Sequence, residues 1–147
     1  MVNKELLQQK INLQKIKNLM KQVNGIDILD YEKGVLKEDI LRNAGYCDPS
    51  KKAESCITFD SSESDIIDWI LKSVSVSEEE ICYLFYDNIY KVKVRVINKK
   101  QMLSDLWRVF HRISILNQEK NLFYEVEMDS RDEYNYLFDI YSLDQLC

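Results

Sequence analysis

The stretch Glu80–Ile97, EICYLFYDNIYKVKVRVI, constrains the fold more than any other. Val92, Val94 and Val96 alternate with Lys91, Lys93 and Arg95. That period of two fits a strand with one buried face and does not fit a helix. Asp87-Asn88 separates this run from a second β-rich one. Both residues tolerate the positive φ of a two-residue type I′ turn. A turn there predicts Ile81 opposite Val94, Tyr83 opposite Val92 and Phe85 opposite Tyr90, all on one apolar face. The other face then pairs Glu80 with Arg95, Cys82 with Lys93 and Leu84 with Lys91, so alternation and turn chemistry agree.

The next segment reads as a helix. Asn98 takes the cap position with Gln101 three residues on, the outline of a capping box. Leu103, Leu106, Trp107, Phe110 and Ile113 give it a broad apolar face, which predicts a helix to about Ile113. A helix this apolar needs a sheet to cover. A second hairpin follows, pairing Met128 with Tyr134, Val126 with Tyr136, Tyr124 with Phe138 and Leu122 with Ile140 around a loop at 129–133. Glu125, Glu127 and Tyr141 then face outward, with Tyr134 and Tyr136 in the core. A faint internal match, Leu84-Phe85-Tyr86 with Leu122-Phe123-Tyr124, suggests duplicated packing.

Upstream, Lys4–Val23 reads as a helix with a wide apolar stripe through Leu6, Leu13, Ile16 and Met20, stopped at Asn24-Gly25. It either docks on the body or pairs with a partner helix. Gly25–Gly34 reads as a connector, Leu36–Ala44 as a short helix, and Tyr46–Ser55 as an exposed loop around Pro49. Cys56–Phe59 offers an additional strand. Asp60–Ser64 supplies caps for a helix at Glu63–Ser73. Together these elements predict one α+β domain over 1–147. Its mostly antiparallel sheet is built from the two hairpins, Ile81–Ile97 and Asn121–Leu143, and is covered on one face by helices.

Charge is uneven. Residues 1–24 carry five lysines against Glu5, within a chain of net charge −5. Residues 125–147 hold seven acids against Arg131. An acidic body argues against a nucleic-acid binder and suits a basic protein partner. The longest apolar run near the first hairpin, Ile81–Tyr86, is too short to span a bilayer, so no membrane role is expected. The opening MVNKELLQQK has no apolar signal core, which implies a cytoplasmic location. Cys47, Cys56, Cys82 and Cys147 show no CxxC pairing and are expected to be reduced thiols, with Cys82 a packed residue beside the core.

Catalytic signals are sparse. Phosphate-cradling glycine motifs and the GxSxG elbow are absent. His111, the only histidine, has no marked orienting carboxylate, and no Cys or His pair has zinc-finger spacing. No metal or cofactor is expected. Glu125 and Glu127 at i and i+2 could act as a hydrolase carboxylate pair, but alternating acids on a solvated face explain them as well. Lys91, Lys93 and Arg95 could track phosphates, or could simply protect a sheet face while paired with acids such as Glu80. The strongest binding signal is the acidic, tyrosine-rich C-terminal part. Glu125, Glu127, Asp129, Asp132, Glu133, Asp139 and Asp144 would steer a basic partner, and Tyr141 would be the exposed aromatic anchor.

The lysine-rich first helix, the hairpin YLFYDNIYKVKV, the SDLW at Ser104–Trp107 and the closing YLFDIY at Tyr136–Tyr141 cover about half the chain. In this layout the chain resembles small bacterial immunity proteins that neutralise polymorphic or LXG-type secreted toxins. The resemblance implies a non-enzymatic cytoplasmic inhibitor of a cognate toxin. Many such toxins are basic nucleases, so an acidic docking surface is expected. The alternatives are a small hydrolase using the glutamate pair or His111, and a nucleic-acid adaptor using the basic strand.

Overall fold

A computed structural model describes residues 3–34 and 52–143. The short helix expected at 36–44, most of the loop at 46–55, Cys47, Asp144 and Cys147 lie outside the described residues. The fold is α+β. Among the described residues its helices are α1 (Lys4–Met20), α2 (Glu63–Ser73) and α3 (Lys99–Phe110). Its strands are β1 (Ile26–Lys33), β2 (Ser55–Thr58), β3 (Ile81–Leu84), β4 (Tyr90–Val96), β5 (Ile113–Asn117), β6 (Leu122–Asp129) and β7 (Asp132–Ser142). All seven strands form one antiparallel sheet in the order β1-β4-β3-β5-β6-β7-β2.

The helix boundaries follow from capping. Asn3 Oδ1 accepts the N–H groups of Glu5 and Leu6, Ser62 Oγ that of Asp65, and Asn98 Oδ1 that of Gln101. Helix α3 ends at Phe110, not Ile113, because His111 takes the left-handed conformation (φ 55°) and its N–H bonds to the Trp107 carbonyl. Helix α1 ends at Met20, three residues early. Gly25 then turns the chain at φ +79°, and its carbonyl accepts the N–H groups of Ile97 and Asn98 at 2.9 Å. A Cβ at Gly25 would stand 2.6 Å from the Asn98 carbonyl oxygen, so only glycine fits.

The first hairpin departs from its expected register. Cys82 faces Val94, Tyr83 faces Lys93 and Leu84 faces Val92, one residue away from the alternation-based pairing. The connection is not a two-residue turn. Asp87 Oδ2 accepts the N–H groups of Ile89 and Tyr90, and Phe85 N–H bonds to Ser114 on β5. Strand β3 lies between β4 and β5 and is buried on both faces, so its own alternation carries no register information. Cys82, Leu84, Val92 and Val94 therefore enter the main core, while Tyr83 and Phe85 enter a second cluster.

The second hairpin keeps its expected faces but shifts by two residues. Val126 faces Phe138, Tyr124 faces Ile140, and a bulge at Asp129 tightens the loop to Ser130-Arg131. Two strands were not expected. Strand β5 is buried at all five positions and so lacks any period. Strand β1, read as a connector, pairs along β4 from Ile26 to Lys33.

The main core joins Ile16, Met20 and Val23 from α1 and its exit, Ile67 and Ile70 of α2, and Leu103 and Leu106 of α3 to Val92, Val94, Ile115 and Tyr124 of the sheet. Helix α1 thus packs in cis. The second cluster gathers Tyr83, Phe85, Leu116, Phe123 and Tyr141, with the Phe85 and Phe123 ring centroids 5.5 Å apart.

Candidate functional site

The acidic ribbon β6–β7 divides into an internal part and an exposed tip. Glu125, cross-strand from both Ser114 and Asp139, is only 2% exposed, and Asp139 only 1%. The expectation that Glu125 faces solvent is corrected. Strand alternation puts it on the same face as Phe123 and Tyr141, and that face is packed. Tyr141, expected as the exposed anchor, is 3% exposed within the second cluster.

Arg131 organises the turn. Its backbone N–H and Nε bond to Asp129 Oδ1 at 2.9 and 3.1 Å, and its Nη2 reaches Asp139 Oδ2 at 2.5 Å. The Asp139 carboxylate, joined by Asp129, holds the Arg131 guanidinium charged above its ordinary range against the opposing effect of burial. Burial alone would raise the Asp129 carboxyl, but hydrogen bonds from Arg131 more than offset it and leave it below the ordinary value. Asp132 accepts the backbone N–H groups of Tyr134 (2.8 Å) and Asn135 (3.1 Å), and these bonds lower its pKa. Asp129 and Asp132 therefore build the turn.

The remaining described members of the expected surface are Glu127, half-buried, and Glu133, exposed. Beside them stand two residues that hydropathy assigned elsewhere. Tyr134 is 73% exposed and Met128 69%. Tyr134, expected in the core, lies past the reach of the helices. Two residues on, Tyr136 does reach α3, with its ring edge-on to Trp107 at 4.9 Å and to Phe59 at 4.6 Å. Met128 lies opposite Tyr136 across the ribbon. The tip thus exposes a thioether and a phenol on the face that Tyr136 anchors to the aromatic cluster, while strand alternation turns Glu127 to the other face. Sequence reasoning missed Met128 and misplaced Tyr134. The usable signal was their distance from α3, which only the register reveals.

The other chemistries have little geometric support. Glu125, Glu127 and His111 border none of the three cavities described, which lie along α1 and the 85–89 loop and between α2 and α3. His111 is exposed and edge-on to Trp107 at 5.9 Å. Among the described residues no group of three or more His, Cys, Asp or Glu side chains could hold a metal ion. Burial pushes the Cys82 thiol up to about 12, which keeps it an unreactive packed group.

The basic stripe of β4 meets an acid at every position. Lys91 faces Glu32, Lys93 faces Asp30 and Arg95 faces Asp27 on β1. Its cross-strand neighbours are therefore β1 acids, whereas Glu80 accepts from Asn117 Nδ2 and pairs with Lys120. The register also brings Tyr83 onto the cationic face, where the Lys91 ammonium stands 4.8 Å from its ring centroid. Tyr83 and Phe85 are nonetheless buried and offer no open ring for base stacking.

No helix among the described residues is long and apolar enough to cross a membrane. Comparison with protein-family models, curated proteins and solved structures finds no match.

Proposed function

We propose that this chain is a non-enzymatic protein-binding module of the immunity-protein kind, acting in the cytoplasm on a cognate, basic secreted toxin. The contact is made by the tip of β6–β7. The observation that carries this reading is the exposure of Met128 and Tyr134 at the tip, in the same two strands that carry the half-buried Glu127 and the exposed Glu133. Large side chains held on a rigid base supply contact energy at low entropic cost, and a carboxylate rim steers a cationic partner. The Arg131 clamp on Asp129 and Asp139 fixes the turn before any partner arrives, which lowers the cost of ordering it.

The test is neutralisation in bacteria. The chain is co-expressed with any secreted-toxin domain found encoded directly upstream of it, and growth is followed for the wild type and for a Met128→Ser/Tyr134→Ser double variant. Growth rescue by the wild type and its loss in an equally abundant variant is the expected outcome. Equal rescue by both would remove the tip from the mechanism.

A further inference from the structure

Helix α1 shows an asymmetry that its docking does not use. Placed at about 100° per residue, its four lysines, Lys4, Lys10, Lys15 and Lys17, and its C-cap Lys21 all fall on one half of the helix. Leu6, Leu7 and Ile11 fall on that same half and are each roughly half exposed. The opposite half carries Ile16 and Met20 into the core and also bears the exposed Glu5, the helix's only acid. One apolar set is therefore spent on folding and the second is left in water among cations. Among the described residues no ion pair involves an α1 lysine, although the Lys17 ammonium lies 5.4 Å from the Tyr31 ring centroid.

We propose that the outward half of α1 docks on an anionic phospholipid surface, with Leu7 and Ile11 entering the acyl boundary and the lysines meeting headgroup phosphates. This does not depend on the toxin-binding reading. Charge selects the occupant. A second copy docked through the same face would set five lysines against five. A nucleic acid would match the charge and leave Leu6, Leu7 and Ile11 in water. Lys10 and Lys21 flank the Leu7–Ile11 line on one side and Lys4 and Lys15 on the other. Cations on both flanks of a convex rod suit a plane of headgroups better than a groove, because lysine stems can reach sideways and upward from a half-sunk helix. No helix among the described residues is long and apolar enough to cross a membrane, and the association proposed is peripheral and reversible.

The experiment is flotation of the purified full-length chain with vesicles of phosphatidylcholine alone or with phosphatidylserine as roughly a third of the lipid. Binding to the anionic vesicles only, abolished when salt is raised to about 0.5 M, is expected. Each lysine near an anionic leaflet strengthens partitioning about fivefold, so Lys10→Gln/Lys15→Gln should weaken it by roughly 25-fold. Leu7→Ser/Ile11→Ser should weaken it independently, with circular dichroism unchanged in both variants. Absence of flotation with anionic vesicles at low salt would overturn the proposal. So would equal flotation with neutral vesicles, or a dimer or acidic-protein complex that these variants break while vesicles stay unbound.

Discussion

The two ends of the β6–β7 ribbon carry similar residues and use them differently. At the internal end Glu125, Asp139 and Tyr141 are packed against neighbouring strands, and Asp139 is held by Arg131. At the tip, Glu133, Met128 and Tyr134 face water. A sequence charge count treats these acids alike. The fold separates them into groups that hold the ribbon and groups that can meet a partner. An acidic stretch is thus an acidic surface only where strand register leaves it uncovered.

That division can be broken or sharpened by substitution. The largest effect is expected at the internal end. Phe123→Ala removes a fully buried ring that touches Phe85, and should cost about 3–5 kcal/mol in urea unfolding. Arg131→Ala leaves Asp139 as an uncompensated buried carboxylate and should cost about 3 kcal/mol. Its effect on affinity for the proposed toxin partner, measured on the protein that remains folded, should be far smaller than that of tip variants.

Acid titration separates the ends more finely. The Asp129 and Asp132 carboxyls are held below their unfolded values, so their stabilisation is complete above about pH 4. It is lost as pH falls through the folded-state values. Wild-type urea midpoints should therefore fall below about pH 4, and Arg131→Ala should show a somewhat shallower fall because Asp129 keeps the backbone N–H of residue 131 but loses the guanidinium. An identical slope in both proteins would assign the acid sensitivity elsewhere. The smallest effect is expected from Glu127→Lys/Glu133→Lys. Association with a basic partner should slow several-fold at low salt, and stability should move by less than about 0.5 kcal/mol.

The two hairpins also differ in how far they could be read from sequence. Strand β4 alternates strictly between buried and half-buried positions, and its valines announced it. In β6–β7 a slip of two residues preserved every face, so the core side of Tyr124, Val126 and Phe138 was legible although the turn was not. Strand β3 is apolar on both faces, and only Asp87's bonds to Ile89 and Tyr90 set its loop length. Wholly buried β5 has no period to detect. Acidic β1 at the sheet edge resembles a linker until its acids meet Lys91, Lys93 and Arg95. Helix α2 was readable to its ends because Ser62 and the stripe of Ile66, Ile67 and Ile70 are local signals. Of the candidate site, Glu127 and Glu133 were legible, whereas the exposure of Tyr134 depends on where α3 stops covering the ribbon.

The proposed docking role of the tip is tested most directly by calorimetric titration of the toxin domain that growth rescue identifies into wild-type protein and into Tyr134→Ala. A Kd weakened by about 30-fold, the equivalent of losing one dominant anchor, with an unchanged urea midpoint, is expected. An unchanged Kd in a folded Tyr134→Ala protein would contradict it.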